Sequence, residues 1–253
     1  MRKISAALIT YNEEANIERS LNKLLWCDEI VVIDSYSTDK TVEICKQYNA
    51  KVFLKKFEGF GDQKQFMVSK CTNDWILSID ADEVLSDELI KEIQLEFSKE
   101  KIDYGAYYLN RRHVFLGRVF KHGKLKKEAI LRLFNKNDAQ FTNRRVHERV
   151  IHSGDCGRFK SLIMHYTVTS ISQMSYKKEF YATLSSEEYF SKKESINSIY
   201  IYLKYPYTFF KEYFFNWNFL NGYQGYVWSV TCAEGNLLKY LKLKEKQKKV
   251  KRA

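Results

Sequence analysis

Three acidic side chains follow an apolar run in "WILSIDADE", residues 75–83. Asp80 and Asp82 are two positions apart, and such residues point to the same side of an extended segment. Two carboxylates that converge in this way form an oxygen-rich site suited to Mg²⁺ or Mn²⁺. The alternation turns Glu83 away, so the predicted metal site excludes it. The alternative is a solvated turn in which Glu83 begins a helix.

Polar side chains also follow two earlier apolar runs. Asp34 ends "EIVVID", where a carboxylate can accept hydrogen bonds from a ribose or a base. The alternative is that Ser37 or Thr38 only caps the next helix. Tyr11 follows the first run, and its ring could either stack on a base or pack against the protein. These residue types are suited to binding a nucleotide.

The elements that must position these groups alternate between two periodicities. Short apolar runs predict strands at 4–9, 29–33, 50–54 and 74–79, and helical spacing predicts helices at 13–25, 38–48, 61–71 and after Ser86. This alternation predicts a parallel sheet covered by helices on both faces. Ligands of such sheets bind at the carboxyl ends of the strands. "TYNEE", "DSYSTD" and "DADE" therefore share one edge and predict one site.

The second half of the chain has a different pattern. "YGAYYL", "AILRLF" and "SLIMHYTV" predict strands with polar or basic connections, and hence a mixed sheet. Residues 170–195 have helical spacing, and the chain from 196 onwards is aromatic and then basic. The expected fold class is α/β, with a mostly parallel central sheet flanked by helices and a helical, aromatic and basic C-terminal extension.

Composition restricts the function classes. The net charge is +11, and residues 111–132 and 239–252 each contribute +7, so two local patches carry the positive charge. The five cysteines are odd in number and lack a CxxC pair, which argues against a disulfide framework or a cysteine zinc site and favours a reducing compartment. The apolar run at the N-terminus is followed by "YNEE", which predicts a first strand and not a signal peptide.

Three segments together carry a resemblance to a known family. "ALITYNEEANIERSL", "EIVVIDSYSTDKT" and "DWILSIDADEVLS", in this order and spacing, resemble the inverting family 2 glycosyltransferases, which have the GT-A fold. "DADE", "RLF", "VHERV" and "HY" resemble, more narrowly, the lipopolysaccharide-core glucosyltransferases of Gram-negative bacteria. The resemblance covers about residues 1–170 well, and it implies a GT-A fold that binds a UDP-sugar.

The resemblance also implies roles for individual residues. Thr10, Tyr11 and Glu13 would border the nucleotide, Asp34 would touch the uridine, Asp80 the ribose or metal, Asp82 would be the main metal ligand, and Lys64 would lie near the diphosphate. Many members of the family have a second acid after the second strand, where this chain has Ser35. That departure leaves the contact to the base open.

Two further residues complete the predicted site. Glu148 in "RRVHERV" is the candidate base that takes the proton of the acceptor hydroxyl, and the alternative is a salt-bridged strand residue. His165 in "IMHYT" could complete the metal shell, as a histidine does in many GT-A enzymes. A histidine satisfied within the core is the alternative.

The C-terminal region suggests a membrane surface. Residues 213–233 contain no charge but many rings and polar residues, and a Lys-rich tail follows. This composition predicts an interface-bound segment, and the alternative is a helix packed on the catalytic domain. The predicted division is a catalytic domain at 1–195, with a nucleotide-binding half at 1–100 and an acceptor-binding half at 101–195, and a membrane-associating extension at 196–253.

The predicted function is transfer of a hexose, with glucose the first candidate, from a UDP-sugar to a lipid-linked or lipopolysaccharide-core glycan. The reaction would use Mg²⁺ or Mn²⁺ at the inner face of the cytoplasmic membrane, with no nucleic-acid partner. Two alternatives are a nucleotidyltransferase and a non-catalytic basic protein that binds membrane or RNA. The first normally has a Gly-rich loop near its start, where this chain has "TYNEEAN", and the second gives no reason for acids at three strand ends.

Overall fold

The computed structural model describes residues 2–146, 148–192 and 196–252, in two compact units. The first unit comprises Met1–Arg112 and Lys127–Tyr166, and the second comprises His113–Lys126 and Thr167–Ala253. The predicted boundary after residue 195 falls on residues 193–195, which lie outside the described ranges. The compact units divide the chain earlier, after Tyr166, and the roles predicted for the regions remain predictions.

The secondary structure alternates in the first hundred residues and becomes helical at the end. The strands are β1 Ile4–Thr10, β2 Glu29–Asp34, β3 Lys51–Leu54, β4 Trp75–Ser78, β5 Glu83–Leu85, β6 Ala106–Phe115, β7 Arg118–Val119, β8 Glu128–Asn135, β9 Ala139–Phe141, β10 Val150–His152 and β11 Cys156–Val168. The helices are α1 Ile17–Asn22, α2 Thr41–Gln47, α3 Phe60–Lys70, α4 Asp87–Ser98, α5 Ile171–Ser191, α6 Ser198–Phe210 and α7 Gly222–Arg252.

The main sheet has the strand order β3-β2-β1-β4-β8-β6-β11-β5. Strands β1 to β4 are parallel to one another, and β8 joins β4 in antiparallel register, with Trp75 opposite Asn135. The four predicted parallel strands and the mixed character of the later sheet are therefore confirmed. Thr10 lies opposite Asp34 in the register, so β1 and β2 end side by side.

Helices cover both faces of the parallel strands. Successive residues of a strand point to opposite faces, so alternate residues pack against different helices. Ile4 and Leu8 of β1 belong to a core cluster that contains Leu21 of α1 and Phe97 of α4. Ala7 belongs to a second cluster, with Met67 of α3. Helix α4 begins after Ser86 as predicted, and the Ser86 hydroxyl caps it by accepting a hydrogen bond from Leu89 N at 3.2 Å.

Among its described residues, the second unit combines the hairpin formed by the end of β6, from His113 onwards, and β7 with the helices α5, α6 and α7. Helices α5 and α6 both pack on α7, and Ile201 of α6 shares a small core with Tyr240 and Leu243 of α7. A π-helical turn at Lys211–Phe215 and a 3₁₀ turn at Asn218–Asn221 separate α6 from α7. Within the described ranges, no helix combines the length and apolar character needed to cross a bilayer.

Candidate active site

The ends of β1 and β2 hold a buried carboxylate. Asp34 is fully buried, and its Oδ2 accepts hydrogen bonds from Thr10 Oγ1 at 2.9 Å and from Ser37 Oγ at 2.6 Å. Its Oδ1 accepts from Ser37 N at 2.8 Å. The structure thus brings the predicted pair Thr10 and Asp34 together. In this arrangement Asp34 organises the loop that follows β2.

The loops after β1 and β2 are joined by side-chain hydrogen bonds. Asn12 has a positive φ of 53°, and its Oδ1 accepts from Thr38 N at 2.8 Å. Glu13 N donates to Thr41 Oγ1 at 2.8 Å. Because α2 begins at Thr41, Thr38 belongs to this loop contact and is not the cap of the helix. Tyr11 is 50% exposed on the joined loops, so its ring remains open to a ligand.

Lys64 connects two carboxylates that are far apart in the sequence. Its ammonium group is 2.9 Å from Asp80 Oδ1 and 2.8 Å from Glu148 Oε1. The Lys64 side chain, on α3, is only 5% exposed, and that of Glu148 is 13% exposed. Three residues predicted for different roles therefore meet at one point within the first unit.

A close contact with α3 positions the segment that carries Glu148. Phe60 N donates to Arg145 O at 3.1 Å, and Gly61 N donates to Arg144 O at 2.9 Å. A Cβ at Gly61 would lie 2.3 Å from Thr142 O, so only glycine fits there. His147, within the "VHERV" motif, lies outside the described residues.

Asp80 has a second cationic partner, Arg132 of β8. Arg132 Nη2 donates to Asp80 Oδ2 and, at 3.0 Å, to Glu83 Oε1. Burial alone would raise the pKa of Asp80, but Arg132 and Lys64 outweigh it and hold that pKa well below its usual value. Burial would lower the pKa of Arg132, and Asp80 and Glu83 raise it instead. Asp80 therefore lies between two basic side chains, those of Lys64 and Arg132.

Glu83 holds the acidic segment in shape. It is fully buried, its Oε2 accepts from Asp80 N at 3.0 Å, and its Oε1 lies 3.1 Å from Arg111 Nη1. Asp82 belongs to a turn between β4 and β5, so the extended geometry assumed from the sequence is wrong at this point. The turn gives Asp80 and Asp82 different partners.

Asp82 lies beside the predicted histidine. His165 Nε2 is 3.3 Å from Asp82 Oδ1, and Tyr166 N donates to Asp82 O at 2.8 Å. A carboxylate oxygen next to an imidazole nitrogen is a donor set that Mn²⁺ or Mg²⁺ can use when phosphate and water supply the other ligands. No cluster of three or more metal-ligating side chains occurs among the described residues. Asp82 and His165 together therefore fit a divalent ion as two of its ligands.

The sequence analysis did not identify three features of this site: the buried Arg132, the role of Glu83 in stabilising the acidic turn, and Gly61. A signal existed for Arg132, because a charged residue inside the apolar strand "AILRLF" is rarely buried without a partner. Gly61 had no such signal, because its contact is with the backbone of a segment about eighty residues away.

Comparisons with known proteins fit this arrangement. The sequence profile of the family described as Glycosyl transferase family 2 matches residues 5–166, which contain every predicted site residue. The chain belongs to glycosyl transferase family 2. The α/β architecture with C-terminal helices agrees with the GT-A fold predicted for a member of this family.

Three known proteins are similar to the chain over most of its length. An uncharacterised glycosyltransferase of Rickettsia typhi is 34% identical over 97% of this chain and 88% of that protein. The lipopolysaccharide core biosynthesis glycosyltransferase LpsC of Rhizobium meliloti is 25% identical, over 91% and 87% of the two chains. The crystal structure of S. aureus TarS 1–349 with UDP-GlcNAc is 14% identical, covers 90% of this chain and 79% of that one, and has a TM-score of 0.48.

Proposed function

We propose that this family 2 glycosyltransferase transfers a hexose from a UDP-sugar to a lipid-linked or lipopolysaccharide-core glycan. The transfer would invert the configuration at the anomeric carbon. Glucose is the first candidate for the hexose. The observation that carries the proposal is the position of Lys64, within 3 Å of both Asp80 and Glu148. A cation suited to a diphosphate and a carboxylate suited to a hydroxyl proton are thereby adjacent.

The proposed step requires one proton acceptor and one stabilised leaving group. Glu148 takes the proton as the acceptor oxygen bonds to the anomeric carbon, and the bond from that carbon to the diphosphate oxygen breaks. The electron pair of the broken bond leaves with UDP. We assign to Lys64 and Arg132, which both pair with Asp80, the stabilisation of the negative charge that grows on the leaving group.

We assign donor contacts to the carboxyl edge of the parallel strands. Thr10, Glu13 and Asp34 would shape the nucleotide pocket, and the exposed ring of Tyr11 would lie against the base. Asp82 and His165 would hold Mg²⁺ or Mn²⁺, and Asp80 would join them if the ligand drew Lys64 away. A divalent ion supplies further positive charge for the diphosphate.

We assign contact with the membrane surface to the second unit. It exposes large side chains that include Tyr202, Phe215 and Tyr223, and Trp and Tyr rings favour the bilayer interface. The role in the name of the relative LpsC, lipopolysaccharide core biosynthesis, supports a glycan acceptor of this kind. Binding at the inner face of the cytoplasmic membrane is part of the proposal.

A panel of nucleotide sugars tests the function. Purified protein is titrated with UDP-glucose, UDP-galactose, UDP-N-acetylglucosamine and GDP-mannose, with Mn²⁺, with Mg²⁺ or with EDTA, and donor hydrolysis is followed in parallel. The expected result is metal-dependent binding and slow hydrolysis of one UDP-hexose. If no nucleotide sugar binds in the presence of either metal, the proposal fails.

A further inference from the structure

A basic pocket lies within the second unit. Its volume is about 470 Å³, and its lining residues are Gly117, Arg118, Val119, Lys121, His122 and Asn221. The segment from His113 to Lys126 contains four Lys or Arg residues and no Asp or Glu. Among the described residues, no carboxylate pairs with Arg118 or Lys121, and both are exposed. The pocket therefore has positive charge without an internal counter-charge.

The position of Arg118 is fixed by a tight hairpin. Phe115 of β6 pairs with Arg118 of β7, which leaves Leu116 and Gly117 as a two-residue turn. Both turn residues have positive φ, 48° and 75°, as a type I′ hairpin requires. The hairpin lies over a buried core in which Phe115 and Phe120 contact Trp228. Arg118 is thus presented from a rigid turn.

The opposite wall of the pocket is fixed by Asn221. This residue is 1% exposed, and its Oδ1 accepts from Lys121 N at 3.2 Å and from His122 N at 3.3 Å. A Cβ at Gly123 would lie 1.8 Å from Asn216 O, so the two chain segments are in direct contact there. The backbone that carries Lys121 and His122 is consequently held in place before any ligand binds.

The chemistry of the lining suits a phosphate group. A guanidinium and an ammonium group are the side chains that most often bind phosphate, and the exposed imidazole of His122 adds hydrogen-bonding capacity. The Asn221 amide is already used, because it bonds to the backbone of Lys121 and His122 and to Asn218. Two large side chains within two positions of Asn221 in the chain are open to solvent: Leu220 is 43% exposed and Tyr223 is 66% exposed. A ligand with a phosphate in the pocket would therefore have a hydrophobic surface for an attached chain.

We propose that this pocket binds the phosphate group of a membrane amphiphile, with Arg118 and Lys121 as the charged contacts. The phosphate could belong to a lipid-linked phosphomonoester or to the diester headgroup of a bulk phospholipid, and the two share the same chemistry. The proposal concerns binding within the second unit and does not depend on sugar transfer.

The test measures binding to vesicles by sedimentation. Phosphatidylcholine vesicles carry either farnesyl phosphate or phosphatidylglycerol at equal charge density, and plain phosphatidylcholine vesicles serve as the blank. The pocket variant is R118A/K121A. We expect it to lose at least about fivefold in affinity for charged vesicles, because two phosphate contacts at a solvent-exposed site disappear.

The matched control is K211A/K248A, which removes the same charge from two exposed lysines of the second unit that do not line the pocket. The control's fold-loss of affinity for charged vesicles is expected to be less than half that of the pocket variant. R118K/K121R keeps both charges and is expected to bind within about threefold of the unmodified chain. Circular dichroism and binding of a UDP-sugar confirm that each variant is folded.

The outcomes separate cleanly. A pocket-dependent loss on farnesyl phosphate vesicles alone supports a phosphomonoester ligand, and an equal loss on phosphatidylglycerol vesicles supports a bulk headgroup. If R118A/K121A and K211A/K248A lose binding equally, the effect is general electrostatics and the pocket proposal is overturned. Unchanged binding by the pocket variant overturns it as well.

Discussion

Lys64 is the residue on which the proposed site depends most. Its side chain is almost completely buried, and its two carboxylate partners come from the segment after β4 and from the segment before β10. A buried lysine is stable as a cation only when such partners surround it. Its removal would leave Asp80 with Arg132 and would leave Glu148 without this contact.

The substitution Lys64→Met tests this dependence. We expect affinity for a UDP-sugar to fall by at least about tenfold, because a charge-assisted contact to the diphosphate is lost. The free energy of unfolding should fall by about 1–3 kcal/mol, because Glu148 and the partly exposed Asp80 each lose a charge-assisted contact. Isothermal titration and urea unfolding measure the two effects.

Lys70→Met is the matched control, because Lys70 is in the last turn of the same helix and lies over the rings of Phe53 and Phe66. It should leave donor affinity unchanged. If Lys64→Met also binds donor normally, Lys64 is not a donor ligand.

At the residue scale, the sequence predicted which residue types form the candidate site better than it predicted how those residues are arranged. The acids at strand ends were identifiable because each follows an apolar run, and Asp82 and His165 do lie together. The relative orientation of Asp80 and Asp82 could not be predicted, because a turn replaces the extended backbone. The Glu83 carboxylate stabilises that turn by accepting a hydrogen bond from Asp80 N. The contact of Lys64 with Glu148 joins residues 84 positions apart, and no local pattern encodes it.

At the level of elements, α3 and the segment that follows β9 act together. The first two residues of α3 donate hydrogen bonds to the carbonyls of Arg144 and Arg145, and Gly61 permits the close approach. Glu148 follows this contact directly in the chain. The contact therefore sets the position of the candidate base relative to Lys64, which lies one turn further along α3.

The substitution Gly61→Ala should separate these elements. A Cβ at 2.3 Å from Thr142 O forces the segment away, and a displacement of about 1 Å can cost on the order of a hundredfold in rate. We expect donor hydrolysis to fall by that order, with a smaller loss of donor affinity. Steady-state kinetics with the preferred UDP-sugar measure both.

Gly235→Ala provides the comparison, since a Cβ in the middle of α7 meets only Lys178 Cγ at 3.4 Å, an ordinary contact. It should leave kcat unchanged. Normal kcat in Gly61→Ala would show that the contact does not position the catalytic segment.

The amino ends of the parallel strands are connected by Glu29. Its carboxylate accepts hydrogen bonds from Ser5 Oγ at 2.5 Å and from Thr72 N at 2.8 Å, and it pairs with Lys51 at 2.7 Å. Ser5 lies near the start of β1, Lys51 begins β3, and Thr72 lies in the segment before β4. Burial would raise the pKa of Glu29, but Lys51 and the hydrogen bonds outweigh it and lower that pKa to about 2.

This lowered pKa predicts a specific acid dependence. A carboxylate with a depressed pKa in the folded state stabilises the fold above its unfolded value, near 4.5, and loses that contribution as the pH falls towards 2. Glu29→Gln should cost about 2 kcal/mol at neutral pH and nearly nothing at pH 2. Denaturant unfolding of both proteins across this range measures the difference, and a gap that persists at pH 2 would contradict the assignment.

The order of the elements followed from the sequence to a large extent. Four apolar runs with helices between them predicted the parallel strands correctly, because burial on both faces requires near-continuous apolar sequence. The helix predicted for 13–25 is shorter, Ile17–Asn22, because the preceding residues form the loop that contacts Ser37 and Thr41. The insertion of β8 beside β4 depends on long-range pairing and could not be predicted from local patterns.

For the whole molecule, charge divides between the two units. The second unit holds 18 Lys or Arg and 7 Asp or Glu, so it carries the entire net charge of +11, and the first unit is neutral. The neutral first unit contains the proposed donor site, and the basic second unit has the exposed rings, so we propose separate roles for the two units. Anionic membrane surfaces attract basic segments, and salt weakens that attraction.

This division predicts the behaviour of the chain on membranes. Membranes isolated from expressing cells should release most of the protein when washed at high salt, because screening weakens the electrostatic part of binding. Immunoblots of the supernatant and pellet measure the release. Release by detergent alone would show that the aromatic segment inserts into the bilayer.

The most direct test of sugar transfer is donor cleavage by Glu148→Gln, with Glu88→Gln on the exposed first turn of α4 as the control. Hydrolysis of the preferred UDP-sugar is measured at saturating donor and metal, and donor affinity is measured by titration. We predict that Glu148→Gln loses turnover by at least about a hundredfold while donor affinity stays within about twofold, because an amide cannot accept the proton. Turnover close to that of the unmodified protein would contradict the assignment of Glu148 as the base.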